Sequence, residues 1–164
     1  MSSILETNML KHAKGNVLDM AEQGQFGIVL QGCNCFNTMG GGIAREIAAR
    51  YPHIEAEDKK TARGDIMKLG NWTRGFVETE RSGFWIYNCY TQFDMSNGQD
   101  VFEYDAFSLI LYKLFKLYPS AHYGLPYIGM GLARGNRDII VSTIEAFAED
   151  ITDRGGSVTL VEFA

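Results

Sequence analysis

The sequence predicts an α/β fold in which helices pack on a largely parallel sheet. Short apolar runs bounded by turn residues alternate with segments in which apolar residues recur at helical spacing. Strands that alternate with helices pair in parallel, because each helix returns the chain to the same edge of the sheet. Two apolar runs lead into glycine-rich loops, and ligands of open α/β sheets lie at the carboxyl ends of strands. We therefore expect a ligand cleft between the two loops.

The first half of the chain is expected to contain two strands and three helices. Pro52 suits the first turn of the third helix, where the N–H that proline lacks would be unpaired in any case. In chain order the expected elements are a strand over 9–13, ended by a turn at 14–16, a helix over 17–23, a strand over 26–33, and helices over 42–51 and 52–61.

The second half is expected to contain four strands and two helices. Pro119 would stop the first helix, and Asn136 is a suitable N-cap for the second. The apolar stripe of that second helix comprises Ile139, Ile140, Thr143, Ile144, Phe147 and Ile151. The expected elements are strands over 69–79 and 84–92, a helix over 104–118, a strand over 123–128, a helix from 137 to the glycines at 155–156, and a strand over 158–163.

Length and composition fit one globular domain over residues 1–164. The formal net charge of −5 argues against a broad nucleic-acid surface, which would be basic. Cys33, Cys35 and Cys89 are an odd set without the spacing of a disulfide framework, so we expect small buried thiols and a cytoplasmic location. No secretory leader or membrane-spanning run is recognisable, and the expected state is a soluble monomer.

The first glycine loop, with its flanks at 31–44, is the most informative segment. An apolar run leads into it, three consecutive glycines occupy 40–42, and an amphipathic segment leads out. A strand that delivers glycines to a helix start suits an anion, because backbone N–H groups converge there and the helix dipole favours negative charge. We interpret Asn34 as a ligand for a sugar hydroxyl, with a turn-forming role as the alternative, and Asn37 as a turn residue.

The second glycine loop covers residues 129–135 and also follows a predicted strand. Neither loop has the Gly-Lys-Ser/Thr of a P-loop, and the second spaces its glycines differently from a dinucleotide fingerprint. Each loop alone could be a tight turn. Two such loops at equivalent strand ends favour a shared cradle in which backbone amides hold a phosphate group.

The histidines and acidic residues give weaker indications of a functional site than the glycine loops do. His12, His53 and His122 lack Cys or carboxylate partners at ligand spacing, so we expect no metal site. Asp94 closely follows the end of a predicted strand, and it is the acid that could face the cleft.

Three segments in this order resemble the macro domain family, which binds ADP-ribose. Residues 14–17, Lys-Gly-Asn-Val, resemble its Gly-Asp-Ile/Leu turn after the first strand. Residues 32–44 resemble its Asn-rich first loop with three glycines. Residues 125–132 resemble its phosphate-holding second loop. The resemblance covers nearly the whole chain. Within the family, the first loop is most similar to that of the yeast-type ADP-ribose-1''-phosphate phosphatases. The terminal ADP-ribose glycohydrolase branch is the second most similar.

The resemblance implies a three-layer α/β/α sandwich with a mixed, largely parallel central sheet, and a site for ADP-ribose without a metal or cofactor. Asn16 would lie at the adenine, Asn34 would lie at the distal ribose, and Val17 would also bind the ligand. The first loop would let that ribose and the diphosphate approach, and backbone amides of the second would wrap the diphosphate. The loop residues so assigned are Gly40, Gly41, Gly42, Ile43, Gly129, Met130, Gly131, Leu132 and Ala133.

Three positions depart from the family pattern. Asn16 stands where the family usually has aspartate, and an Asn carbonyl oxygen accepts from the adenine amino group with less charge assistance. Ala133 stands where the glycohydrolase branch has a catalytic aspartate. Gln31 stands where the phosphatase branch has a histidine, and glutamine cannot act as a general base.

The preferred function is hydrolysis of ADP-ribose-1''-phosphate to ADP-ribose and phosphate, with positioning and backbone electrostatics supplying most of the rate. Asn34 would orient ribose or water, and Asp94 is the candidate base. Two alternatives stay open: removal of ADP-ribose from modified macromolecules at an ester link, and ADP-ribose binding without catalysis. The departures at Ala133 and Gln31 favour the latter. Family members of this size also occur in phages, in which case the protein would act in the host cytoplasm.

Overall fold

The computed structural model describes residues 9–95, 97–131 and 133–164, which build a six-stranded sheet with helices on both faces. The strands are β1 (Lys11–Gly15), β2 (Ile28–Cys33), β3 (Trp72–Val77), β4 (Phe84–Tyr90), β5 (His122–Leu125) and β6 (Ser157–Phe163). The helices are α1 (Val17–Glu22), α2 (Gly42–Arg50), α3 (Pro52–Lys59), α4 (Tyr104–Leu117) and α5 (Arg137–Asp153), with a 3₁₀ turn at Ile66–Lys68. Across these described ranges, no helix is both long and apolar enough to cross a bilayer.

The strand order is β1-β6-β5-β2-β4-β3, and every neighbouring pair is parallel except β3 with β4. The predicted α/β class with a mixed, largely parallel sheet is therefore confirmed. β3 and β4 run antiparallel because only a short turn joins them, whereas a parallel pair needs a crossover of a dozen or more residues. The carboxyl ends of β1, β6, β5, β2 and β4 meet at one edge, which is called the carboxyl edge below.

Helices α1, α2 and α3 pack on one face of the sheet and α4 and α5 on the other, which gives the expected three layers. The core between the sheet and α1–α3 contains fully buried Ile47 and Ile86. The core between the sheet and α4–α5 contains fully buried Leu114 and Ile144. Successive strand residues point to opposite faces. The two cores fix the sheet from both sides and so hold its carboxyl edge in place.

The first strand differs from its prediction. β1 runs from Lys11 to Gly15 instead of over 9–13, and the turn expected at 14–16 is displaced into the start of α1. β6 sets this register, because Thr159 to Phe163 lie opposite Lys11 to Gly15. Backbone pairing at a sheet edge does not require the apolar side chains on which the prediction relied.

Three further predictions need correction. β5 ends at Leu125 instead of 128, because Pro126 has no N–H to donate to a strand ladder. β3 starts at Trp72 instead of 69, because residues 69–70 form a turn in which Gly70 has a φ of 81°. Ile139 is 48% exposed and lies outside the buried stripe of α5, since the helix directs the adjacent position into the core.

Candidate ligand-binding site

A cleft of about 770 Å³ follows the carboxyl edge of the sheet, between the two glycine loops. Binding pockets for small molecules typically have volumes of about 300–1,000 Å³. Its lining extends from Gly15 and Phe163, at the ends of β1 and β6, to Asn34 and Gln92, just after β2 and β4. Because neighbouring strands lie about 4.8 Å apart, these two ends are well separated. They are called the β1 end and the β4 end.

Most of the predicted site residues meet in this cleft. Those that line it are Val17, Asn34, Gly40, Gly41, Gly42, Ile43, Gly129, Gly131 and Ala133. Asn16 and Asp94 are not part of the lining, and Met130 packs on the α4–α5 core. Leu132 lies outside the described residues. Among the described lining residues, Glu46 is the only charged side chain.

The first glycine loop brings the start of α2 to the cleft. Gly41 is the N-cap residue of α2, and its helix end has no side-chain cap. Gly42 has a φ of 56°, and a Cβ at either Gly40 or Gly42 would meet nothing within 4 Å. The N–H groups of an uncapped first turn, with the helix dipole behind them, favour a negatively charged ligand.

Asn34 lies in the cleft wall directly after β2 and is 8% exposed. Its Oδ1 accepts from Phe36 N at 2.8 Å, and its Nδ2 donates to Thr38 Oγ1 at 2.7 Å. These bonds are the local turn contacts that the sequence left open as the alternative. They also hold the amide rigid, and an amide oxygen has a second lone pair for a ligand hydroxyl.

Asn37 has a left-handed backbone, with a φ of 59°, as expected for a turn residue. Its side chain bonds far along the chain. Nδ2 donates to Thr61 O at 2.8 Å, and Oδ1 accepts from Lys68 Nζ at 2.6 Å. Lys68 is 7% exposed and also donates to Thr61 Oγ1 at 2.8 Å. This buried lysine therefore ties the first loop to the segment after α3, a link that no sequence pattern indicated.

A second part of this buried network lies around Asp58, which is 1% exposed. Tyr90 donates its hydroxyl to Asp58 Oδ1 at 2.7 Å, and the Lys68 ammonium lies 5.1 Å from the centre of the Tyr90 ring. Burial raises the pKa of the Asp58 carboxyl, against the opposing effects of the Tyr90 hydroxyl and of Lys68. The support of the first loop is thus polar and contains titratable groups.

Gln31 does not line the cleft. It is fully buried, and its Nε2 donates to Asn88 Oδ1 at 2.7 Å. The lining of the cleft begins at the next residue, Gly32, nearer the carboxyl end of β2. A side chain at position 31 is therefore poorly placed to act on a ligand here. The loss of a histidine at this position consequently counts less against catalysis than the sequence comparison implied.

The second glycine loop rests on Phe102. Gly129 has a φ of 75°, and a Cβ there would lie 2.4 Å from the Phe102 ring. Gly135 N donates to Gly129 O at 2.8 Å, which closes the loop. At Gly131, in contrast, a Cβ would meet nothing within 4 Å. The protein's own packing fixes the ends of the loop and leaves its centre open to the cleft.

Asn16 holds two helices together at the β1 end. Its Oδ1 caps α1 by accepting from Leu18 N at 2.9 Å and Asp19 N at 3.1 Å. Its Nδ2 donates to the Glu46 carboxylate, at 3.0 Å from Oε2 and 3.3 Å from Oε1. The carbonyl oxygen that was expected to meet adenine thus already accepts two backbone hydrogen bonds. An adenine contact at Asn16 stays a prediction, and the neighbouring carboxylate is the group that lines the cleft.

Glu46 is also held by Arg50, whose Nη1 lies 2.9 Å from Oε2. Arg50 binds Asp19 at 2.9 Å and Glu22 at 2.6 Å as well, and Tyr51 donates to Glu22. Hydrogen bonds from Tyr51 and Arg50 lower the pKa of Glu22. Sequence reasoning missed Glu46, because a glutamate four residues before an arginine is equally typical of a solvated helix face.

Phe163 is the second unpredicted residue of the β1 end. It lies opposite Gly15 in the β1–β6 ladder, lines the cleft and is 77% exposed. Val161, two residues earlier, lines the cleft from the same strand. Its place at the carboxyl end of a predicted strand was the one sequence signal that could have indicated Phe163.

Asp94, the predicted base, is exposed beside the β4 end. Its Oδ1 accepts from Met95 N at 2.7 Å. Its neighbours Gln92 and Met95 line the cleft, and Gln92 Nε2 donates to Asp94 O at 2.8 Å. The structure therefore brings two neutral amides, those of Asn34 and Gln92, to the β4 end, and leaves the Asp94 carboxylate outside the lining.

All three cysteines are buried and free, as expected. Burial raises the pKa of the Cys33 thiol well above its ordinary value, and burial likewise raises the pKa of Cys35. A thiol whose thiolate is disfavoured is a poor nucleophile. Although Cys33 lines the cleft, its chemistry is that of a core side chain.

Comparison with known proteins yields no matching family model. The chain is 31% identical over 151 residues to an uncharacterized 17.5 kDa protein from the tk-vs intergenic region of Enterobacteria phage T4. The match covers 87% of this chain and 92% of the phage protein. The chain belongs to the family of this T4 protein.

Solved macrodomains have the same fold as this chain. The structure matches the macrodomain of Mycobacterium tuberculosis DarG with a TM-score of 0.66 and 18% identity, over 95% of this chain and 97% of that one. It matches a Trypanosoma brucei macrodomain in complex with ADP-ribose with a TM-score of 0.63 and 12% identity, over 94% and 63%. The expected macrodomain fold is therefore confirmed. Likeness at these identities does not distinguish branches within the fold.

Proposed function

We propose that this protein binds ADP-ribose in the cleft between its glycine loops. The observation that carries the proposal is the geometry of the cleft, in which two glycine loops face each other across the carboxyl edge of a macrodomain fold. A macrodomain of the same fold, that of Trypanosoma brucei, is solved in complex with ADP-ribose. No basic side chain is found among the described lining residues. Backbone amides and the α2 dipole would therefore hold the diphosphate.

The charge of Glu46 orients the ligand. A diphosphate or a terminal phosphate would be repelled from the β1 end, where this carboxylate lies. The diphosphate then lies between residues 40–43 and 129–133, and the distal ribose at the β4 end. There Asn34 and Gln92 are neutral amides that can both donate to and accept from sugar hydroxyls.

The reaction we propose is hydrolysis of ADP-ribose-1''-phosphate to ADP-ribose and phosphate. Phosphoryl transfer passes through a loose transition state, so that positioning and electrostatic stabilisation account for most of the catalysis. Neutral amides and backbone N–H groups at the β4 end fit this requirement better than they fit glycosidic cleavage, which uses a carboxylate pair. The terminal phosphate would lie near Asn34, and Asp94, whose neighbours Gln92 and Met95 line the cleft, is the candidate base. The T4 relative supports a role in a phage-infected host cell.

Binding is tested by calorimetry with ADP-ribose, using two glycine variants. Gly131→Glu places a carboxylate at the centre of the second loop, where a Cβ has open space, and should abolish binding. Gly27→Glu is the matched control, because Gly27 is exposed, equally open and outside the cleft lining. We expect wild-type protein and Gly27→Glu to bind equally. If ADP-ribose binds none of the three proteins, or all three alike, the proposed site is wrong.

Activity is tested by phosphate release from ADP-ribose-1''-phosphate with the same three proteins. Release by wild type and Gly27→Glu, and none by Gly131→Glu, would support the phosphatase. Saturable ADP-ribose binding without phosphate release would identify a binding module instead. Release of ADP-ribose from an ester-linked, ADP-ribosylated protein, without phosphatase activity, would indicate that the substrate is a modified macromolecule.

A further inference from the structure

We infer that Lys68, buried behind the first glycine loop, supplies the positive charge that attracts a terminal phosphate to the β4 end. The inference rests on the proposed function and deepens it, because it names the residue that would distinguish phosphorylated from unphosphorylated ADP-ribose. The described lining of the cleft includes no basic side chain, and Lys68 itself is not part of it. Lys68 therefore acts on the ligand through space and does not touch it.

The ammonium of Lys68 lies next to the two segments that form the β4 end. It donates to Asn37 Oδ1 at 2.6 Å, and Asn37 follows Asn34 by three residues. It also lies 5.1 Å from the centre of the Tyr90 ring, and Tyr90 precedes Gln92 by two residues. Asn34 and Gln92 are the two amides that line this end. The buried charge is therefore close to the place proposed for the terminal phosphate.

The charge of Lys68 is only partly compensated. Its hydrogen-bond acceptors, Asn37 Oδ1 and Thr61 Oγ1, are neutral, and it forms no ion pair within the described ranges. Asp58 is the buried acid of the same network, and its Oδ1 accepts instead from Tyr90 of β4. The positive end of the network thus contacts the first loop, and its acidic end contacts the sheet.

Burial makes the charge of Lys68 effective over a distance. The side chain is 7% exposed, and water and salt screen buried charges less than exposed ones. Asp65 and Glu103 carry opposing charges in this region, but both are exposed and hence more strongly screened. At an effective dielectric constant of about 20, two unit charges about 10 Å apart change an affinity by about tenfold.

The two thiols beside Asn34 indicate the direction of this field. Burial raises the pKa of the Cys35 thiol, and Lys68 exerts the largest effect of any charge there and opposes the rise. At Cys33, inside β2, burial again raises the pKa, and the effect of Asp58 exceeds that of Lys68. A negative charge is therefore favoured at the start of the first loop and disfavoured within the sheet.

A competing explanation is that Lys68 merely fixes the first loop. In that case its loss would weaken phosphorylated and unphosphorylated ligands by the same factor. Loss of Asp58 from the same network would then act in the same direction as loss of Lys68. The electrostatic role predicts instead that the two substitutions change the preference for a terminal phosphate differently, because they remove charges of opposite sign.

The experiment measures by calorimetry the ratio of two affinities. The ligands are ADP-ribose and its 1''-phosphonomethyl analogue, in which a methylene group replaces the ester oxygen so that the terminal anion cannot be hydrolysed off. Wild type should bind the analogue more tightly, and Lys68→Met should lower this preference by about tenfold. Asp58→Asn keeps an oxygen for the Tyr90 hydroxyl and should retain or increase the preference.

Two further variants separate charge from folding. Lys68→Gln keeps N–H donors for the buried oxygens and removes the charge, so it should lower the preference as Lys68→Met does, even if Lys68→Met fails to fold. Lys113→Met is the matched control, because Lys113 also donates to neutral oxygens and lies outside the lining. Its affinity ratio should equal that of wild type.

The outcomes also distinguish this inference from the proposed function. The role of Lys68 is overturned if wild type binds the analogue no more tightly than ADP-ribose, or if Lys68→Gln retains the wild-type ratio. It is equally overturned if Asp58→Asn lowers the ratio as the Lys68 variants do. ADP-ribose binding would stand in each of these cases. Failure of wild type to bind either ligand overturns the proposed function instead.

Discussion

The first glycine loop (residues 40–42) and the second (residues 129–135) face the same cleft and rest on different supports. Under the second loop, the Phe102 ring fills the space that a Cβ of Gly129 would need. Beside the first loop, the fixed point is Asn37, which buried Lys68 holds through a hydrogen bond of 2.6 Å. A Cβ at Gly40 would meet nothing within 4 Å. One loop is held by apolar packing and the other by a buried polar network.

This difference separates two reasons for glycine. Gly129 is required by the protein itself, since both its φ of 75° and its contact with Phe102 exclude a side chain. Gly40 is required by neither, because it has an ordinary φ and open space around it. Under the proposed function, the approach of a ligand would account for the missing side chain at Gly40. Substitutions in and beside the two loops test this difference.

The largest effect is expected for Gly129→Ala. The new methyl group would overlap the Phe102 ring and force alanine into a left-handed backbone. Overpacking and backbone strain together should lower the free energy of unfolding by about 2–4 kcal/mol, measured by urea denaturation. Gly131→Ala in the same loop is the control and should stay within about 0.5 kcal/mol of wild type. Equal stability of the two variants would contradict the packing role of Phe102.

A smaller loss is expected for Lys68→Met. The change leaves the oxygens of Asn37 and Thr61 without their buried donor, which should cost about 1–3 kcal/mol of unfolding free energy. ADP-ribose affinity should fall as well, because the first loop loses its fixed point. Lys113→Met is the matched control, since Lys113 also donates to neutral oxygens, Gly70 O and Asn71 Oδ1, but lies outside the cleft lining. Unchanged ligand affinity in Lys68→Met would show that ligand binding does not depend on this buried network.

The first loop itself should tolerate methyl groups better. Gly42→Ala has room but must adopt a φ of 56°, so about 1 kcal/mol of stability should be lost. Gly40→Ala should lose less than about 0.5 kcal/mol. Both should weaken ADP-ribose binding in calorimetry, because the methyl groups occupy the ligand's approach. A strongly destabilised Gly40→Ala protein would show that protein packing requires this glycine after all.

The smallest effect is a difference in pH dependence. Burial raises the pKa of Asp58, so the folded protein holds this proton at a pH where the unfolded chain has released it. The stability contributed by the protonated carboxyl is complete below about pH 4 and is lost as pH rises through the raised pKa. Asp58→Asn should therefore gain stability relative to wild type as pH rises across this interval. The effect of Gly129→Ala should be independent of pH there, because Phe102 has no titratable group.

The sequence predicted the elements of the fold better than the contacts that complete its site. Helix α2 begins at Gly42 as expected, because glycines followed by apolar residues at helical spacing are a local signal. The bond between Asn37 and Lys68 joins residues 31 positions apart, and no local pattern encodes such a partner. Glu46 was missed because the sequence does not show that one face of α2 ends at a cleft. Asn16 was identified as important, and its cap to α1 emerged only from the geometry.

The buried cysteines allow local opening of the cleft to be followed through their own reactivity. An alkylating reagent reacts with the thiolate, so burial of Cys33 and Cys35 with raised pKa values makes their modification wait for a local opening. Cys33 lies in the cleft wall and Cys35 follows it at the first loop, whereas Cys89 lies inside β4. The rates of alkylation at these three positions therefore report how often each region opens. A bound ligand would lower the rates at Cys33 and Cys35 more than the rate at Cys89.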